Sequence, residues 1–199
     1  MDVKLIAAST DTPVSLDEAR DALFVTADTW DAQIERCLRQ AADFCQRRIP
    51  GHRQFMSATY EAVWDGFPVD VSGRIELPYP PLQRVIAIRY YDPDGVLRTF
   101  GSTSGSSGST AYYTTVAPAH APGYIGPAYD EVWPATRLRA DAVQVRFLAG
   151  YPSSDDVPDS LKAAVTLKLQ HLWDPGHVDE NAQRRAIDDL LLGNCYGAY

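Results

Sequence analysis

The sequence predicts an α+β fold: a helical bundle of two N-terminal and two C-terminal helices with a central antiparallel β-meander. Three observations carry this. Apolar residues recur at spacings of three and four in residues 16–48 and 159–192, the period of a half-buried helix. They alternate with polar residues across much of 54–100 and in 143–149, the period of a strand. Finally, the two patterns are segregated along the chain instead of interleaved, which favours a sheet beside helices over a doubly wound arrangement. Residues 1–192 are read as one domain carrying a long aromatic loop insertion at 101–136, and residues 193–199 as a C-terminal tail.

The first helix starts at Ser15, whose hydroxyl can cap free amides while Glu18, three residues on, bonds back to it. Leu16, Ala19 and Leu23 form its short apolar stripe, and it ends before Thr26. Asp28 or Thr29 is the expected cap of a second helix over 30–48, with Ile34, Leu38, Ala41 and Cys45 on one face. Arg47 and Arg48 suit the negative end of its dipole, and Pro50-Gly51 stops it. Arg36, Arg39, Arg47, Arg48 and Arg53 could form an anion-binding face, but interleaved acids favour a solvated surface.

Strands follow. Residues 54–64 place Tyr60, Ala62 and Trp64 on one face, and Asp65-Gly66-Phe67-Pro68 turns the chain. Arg74-Ile75-Glu76-Leu77 is a short strand halted by Pro78, Pro80 and Pro81, since proline donates no ladder hydrogen bond. Residues 82–91 restart with Val85, Ile86, Ile88, Tyr90 and Tyr91. Asp92-Pro93-Asp94-Gly95 then forms a hairpin turn into 96–100. Residues 101–108 (GSTSGSSG) are a Gly/Ser loop of flexible composition, and 112–134 read as irregular, with aromatics among prolines and glycines. Such aromatics either dock on their own domain or wait for a partner. Tyr112, Tyr113, Tyr124, Tyr129 and Trp133, with Tyr196 and Tyr199 of the tail, are therefore the candidate assembly contacts. Residues 143–149 are the last strand, 153–157 an acidic linker, and 159–173 and 180–192 the final two helices.

Composition narrows the function. A formal charge of −8 across 199 residues argues against a protein that grips phosphates, which requires clustered Lys and Arg. Cys37, Cys45 and Cys195 are too few and too scattered for a disulfide framework or zinc site, and Cys37 and Cys45 read as core thiols. Neither a signal peptide nor a run approaching the ~20 apolar residues of a membrane span is recognised, so a protein made in a reducing cytoplasm is expected. The densest set of proton-transfer groups is His171, Asp174, His177, Asp179 and Glu180. It prompts the alternative of a metal-dependent hydrolase around His171 and His177, but H-x5-H broken by Pro175-Gly176 is not a helix-borne ligand pair. No nucleophile elbow, P-loop or dinucleotide fingerprint occurs. No catalytic residue, metal or cofactor is assigned.

One ordered set of motifs remains. A capped helix and a long helix ending R-R-x-x-G precede W-D-G-F-P, R-I-E-L-P-x-P-P-L-Q-x-V and Y-Y-D-x-D-G. Then come W-P-A-T-R, a V-x-V-R-F-x-A-G-Y strand and P-x-x-L-K-A-A. Over residues 14–191 this order closely resembles the phage head-tail connector (adaptor) family. The resemblance implies a non-enzymatic virion protein of a long-tailed phage, made in the host cytoplasm and placed in the neck between head and tail. It implies a homo-oligomeric ring, dodecameric in the family pattern, beneath the portal protein. That ring extends the DNA channel without sequence-specific binding and docks the next neck or tail-completion protein. Being such a neighbouring neck or tail-completion protein is the close alternative. The insertion at 101–108 and the long loop after it depart from the family pattern.

Overall fold

The computed structural model describes residues 1–68, 73–100, 113–117, 121–129, 131–176 and 179–193, with the backbone alone at Tyr113 and Thr114. Contacts divide the chain into two compact units, Met1–Ala8 with Ala58–Gly150, and Ser9–Ser57 with Tyr151–Tyr199. The α+β class is observed, with four α-helices among the described residues and antiparallel pairing between all named strands.

The first unit contains the sheets. β1 (Asp2–Ala8), β2 (Ala58–Trp64), β4 (Leu82–Tyr91), β5 (Leu97–Phe100) and β8 (Val143–Ala149) form one sheet in the order β1-β2-β8-β4-β5. β3 (Ile75–Leu77), β6 (Tyr113–Val116) and β7 (Gly123–Pro127) form a second in the order β3-β7-β6. Period two governs the packing: Val143, Val145, Phe147 and Ala149 are fully buried, and Tyr60 lies opposite Phe147 and Ala62 opposite Val145. On the other face of that pair Arg146 Nη2 donates to Glu61 Oε2 at 2.7 Å, a cross-strand ion pair in register. Ile75, Leu77 and Ile125 join the same core, so the small sheet is packed on the large one. The contact is tight at Gly123, where a Cβ would lie 2.5 Å from Leu82 Cβ.

The turn chemistry is as the residues dictate. Asp92 N–H donates to the Val96 carbonyl, Gly95 N–H donates to the Asp92 carbonyl, and Gly95 sits at φ 84°, which favours glycine. Asp92 also accepts from the Val96 amide and from Arg98 Nε at 2.8 Å. The Arg98 hydrogen bond, followed by that amide, holds the Asp92 carboxyl below the usual range.

The second unit is helical. α1 (Leu16–Leu23) begins with the expected capping box, Glu18 N–H to Ser15 Oγ and Ser15 N–H to Glu18 Oε2. α2 (Asp31–Arg48), α3 (Asp159–Trp173) and α4 (Glu180–Leu192) complete it. Ile34, Leu38, Ala41 and Cys45 of α2 pack with Leu161, Ala164, Val165 and Leu169 of α3 and Ile187 and Leu191 of α4. Asp179 caps α4, accepting from the amides of Asn181 and Ala182. Two partly buried ion pairs tie the helices: Arg20 of α1 to Asp31 of α2, and Arg48 of α2 to Asp188 of α4, the latter bidentate at 2.8 and 2.7 Å.

Two expectations are corrected, and two features are added. Residues 112–134 are not irregular throughout: β6 and β7 pair there, Thr115 opposite Ile125, so what reads as one loop insertion holds two paired strands. β1 is an additional strand, an edge strand whose mostly exposed side chains give no alternation to read. Strand order also departs from chain order, because β8 inserts between β2 and β4. At the start of α2, Asp28–Trp30 is a 3-10 turn with no side-chain cap, and the Asp28 carboxylate instead lies 3.1 Å from Arg20.

Candidate assembly surfaces

The aromatic candidates fall into three groups. Trp133 is docked on its own unit: its ring stacks on Phe67 at 4.6 Å and 6°, Phe100 lies at 5.2 Å, and Nε1 donates to the Gly73 carbonyl at 2.6 Å. Tyr124 is half-buried, with the Arg74 guanidinium over its ring at 4.5 Å. Tyr129 is 93% exposed; Val132 and Leu138 are exposed as well. Tyr112, Tyr196 and Tyr199 lie outside the described residues, as does the side chain of Tyr113 and the loop 101–108.

The cationic face of α2 divides residue by residue. Arg39 pairs with Glu35 and Arg47 with Asp43 one turn apart on the exposed surface, the solvated arrangement that interleaved acids lead one to expect. Arg48 reaches Asp188. Arg53 departs from either reading: it is 2% exposed, with its guanidinium 5.8 Å from the centroid of Tyr151. Lys168 of α3 lies over the Phe44 ring at 4.5 Å and Arg48 lies at 5.4 Å, so the ring is flanked by two cations. Phe44 and Leu172 floor a cavity of about 570 Å³ whose rim includes Arg47, Arg48 and Lys168.

Opposing properties meet at the end of α1. Phe24 has φ 56° and ψ 34°, the left-handed conformation that bulky residues avoid, and its side chain is 93% exposed. Its amide donates to the Asp21 carbonyl, closing the helix as a glycine ordinarily would. Around it, Arg20 gathers Asp17, Asp28 and Asp31. Residues 16–31 carry five carboxylates and one guanidinium.

Burial raises the Cys45 thiol to about 12 and the Tyr60 phenol to about 12, which keeps both protonated and unreactive. The Ser15 amide hydrogen bond is the largest cause of the lowered Glu18 carboxyl. His171 is half-buried on α3 and His177 lies outside the described residues. Among the described residues no group of three or more His, Cys, Asp or Glu side chains could hold a metal ion. A cavity of about 630 Å³ is lined by hydroxyls such as Thr10, Thr12, Ser15 and Ser153 with Glu35 and Arg39, and its lining residues include no histidine or cysteine. No helix among the described residues is long and apolar enough to cross a membrane.

No protein-family model matches the chain, and no curated protein matches it. Solved structures do. A chain from the neck of an empty gene transfer agent particle computed with C6 symmetry matches with a TM-score of 0.70 at 20% identity, over 100% of this chain and 97% of that one. A chain from the virion of the native gene transfer agent particle matches with a TM-score of 0.67 at 21% identity, over 100% and 98%. A third, from the neck of the native particle computed with C12 symmetry, has a TM-score of 0.66 at 20% identity, over 100% and 98%. The likeness is one of fold.

Phe24, like Val132 and Leu138, is an exposed apolar residue that the sequence does not single out. A phenylalanine directly after Leu23 extends an apolar stripe and reads as core, and only the left-handed backbone turns it outward.

Proposed function

We propose that this chain is a head-tail connector subunit in the neck of a tailed phage or phage-like particle. The supporting observation is the end-to-end fold match to a chain of a gene transfer agent neck, at a TM-score of 0.70 and near-complete coverage of both chains. The ordered motif set over residues 14–191 points the same way from sequence alone. In this reading residues 1–192 act as one connector subunit and the tail 193–199 as an extension. Copies form a closed ring beneath the portal protein, extend the DNA channel and offer a surface to the next neck or tail-completion protein. The C6 and C12 symmetries of the matched neck structures are consistent with a ring, and a dodecamer fits both. Its role is structural rather than catalytic. A net charge of −8 suits a channel in which DNA must slide without being held.

Among the aromatic candidates, Tyr129 is free for a partner in this arrangement, whereas Trp133 supports the unit that presents it. Deleting the gene and examining the resulting particles tests the reading. A connector leaves filled heads that retain no tails, and the chain is detected in wild-type necks directly below the portal. Density for the chain farther down the neck would make it the neighbouring neck or tail-completion protein. Absence from the particle would sink both.

A further inference from the structure

We propose that Phe24 is a knob that inserts into the Phe44–Leu172 cavity of a second copy of this chain, making the head-to-tail contact that repeats around the ring. This deepens the neck reading and rests on it. Phe24 pays twice in the isolated chain, through a left-handed backbone and through a 93% exposed aromatic ring, although glycine would close α1 without either penalty. Burial against a partner removes the second cost.

The cavity matches the knob in shape class and in charge. Its floor is apolar, Phe44 and Leu172, and its volume of about 570 Å³ accommodates a benzyl side chain. Lys168 and Arg48 already lie over the face of Phe44, so an entering ring meets both an aromatic and cations. The rim carries Arg47, Arg48 and Lys168 against Asp43 and, paired with Arg48, Asp188, which leaves one positive charge in excess. The surroundings of the knob are the reverse: Asp17, Asp21, Asp28 and Asp31 against Arg20. Knob and cavity share no residue, the condition for a heterologous contact that propagates and closes into a ring, whereas a self-complementary patch would stop at a dimer. Opposite charge on the two patches also disfavours knob-to-knob and cavity-to-cavity pairing.

Two variants test this in assembled particles. Phe24→Gly suits the backbone and leaves the free chain at least as stable in thermal unfolding, yet its incorporation into necks falls at least tenfold. Normal incorporation of Phe24→Gly would overturn the proposal. The second variant leaves Phe24 in place and pairs Thr26→Cys, exposed two residues on, with Gln40→Cys in a Cys37→Ser, Cys195→Ser background, keeping Cys45, which is buried. Oxidised particles should yield a ladder of covalent multimers at least tenfold stronger than either single variant. Dimers from Thr26→Cys alone would show a two-fold contact instead, and no ladder from necks that contain the chain would refute the inference while leaving the neck reading intact. Absence of the chain from necks would refute both.

Discussion

Replacing Gly123 by alanine tests how the two sheets of the first unit meet. An added Cβ would stand 2.5 Å from Leu82 Cβ, closer than real Cβ atoms approach, and the obstacle is the root of a side chain that cannot rotate away. Leu82 is 6% exposed and sits at the start of β4, so relief requires moving backbone. Overpacking of this kind costs about 1–3 kcal/mol. The loss of unfolded-chain freedom from glycine to alanine returns about 0.4–1 kcal/mol. A net destabilisation of about 1–2 kcal/mol remains, roughly 4 °C in Tm for a chain of this size. Gly126 on the same strand is the control, because among the described residues nothing lies within 4 Å of the position its Cβ would take, and Gly126→Ala should be neutral or stabilising. Urea unfolding followed by tryptophan fluorescence reads both. Equal stability of the two variants would refute the packing of β7 against β4.

The remaining predictions concern the helices and the aromatic cluster. Ser15→Ala removes the capping box and should cost about 1 kcal/mol in urea unfolding at pH 7. Glu18 has a lowered native pKa, so its contribution is present above the ordinary carboxylate range and is lost as pH falls through the native value; Glu18→Gln should flatten that acid limb. Asp188→Asn breaks the bidentate bridge from α4 to Arg48 and should lower stability by about 1 kcal/mol, with less loss in high salt. Trp133→Ala removes the stacked partner of Phe67 and the hydrogen bond to Gly73, and a loss of about 2–3 kcal/mol is expected for this half-buried ring in thermal unfolding.

How much of this was legible depended on whether local chemistry or tertiary contact decided each element. β4, β8, α3 and α4 follow from their residues, because period and stop signals agree: Asp92-Pro93-Asp94-Gly95 after β4, Gly150 after β8, Asp174-Pro175-Gly176 after α3. β6 and β7 do not. Gly123, Gly126 and Pro127 are weak strand formers, and β7 exists because Ile125 is buried and Gly123 lets Leu82 approach. β1 was hidden for a different reason: an edge strand with mostly exposed side chains shows no alternation. The order β2-β8-β4 joins residues some 85 positions apart, as in Arg146 with Glu61, and local patterns carry no such information. For the candidate surfaces, the sequence identified the aromatics but could not divide docked Trp133 from exposed Tyr129, nor anticipate that Arg53 is buried and Phe24 exposed.

The central claim is a place in the neck, and an electron-microscopy reconstruction of the assembled particle at residue resolution tests it most directly. A closed ring of this chain between portal and tail is expected, with the antiparallel order β1-β2-β8-β4-β5 recognisable in every subunit. A complete neck traced entirely to other chains would contradict it.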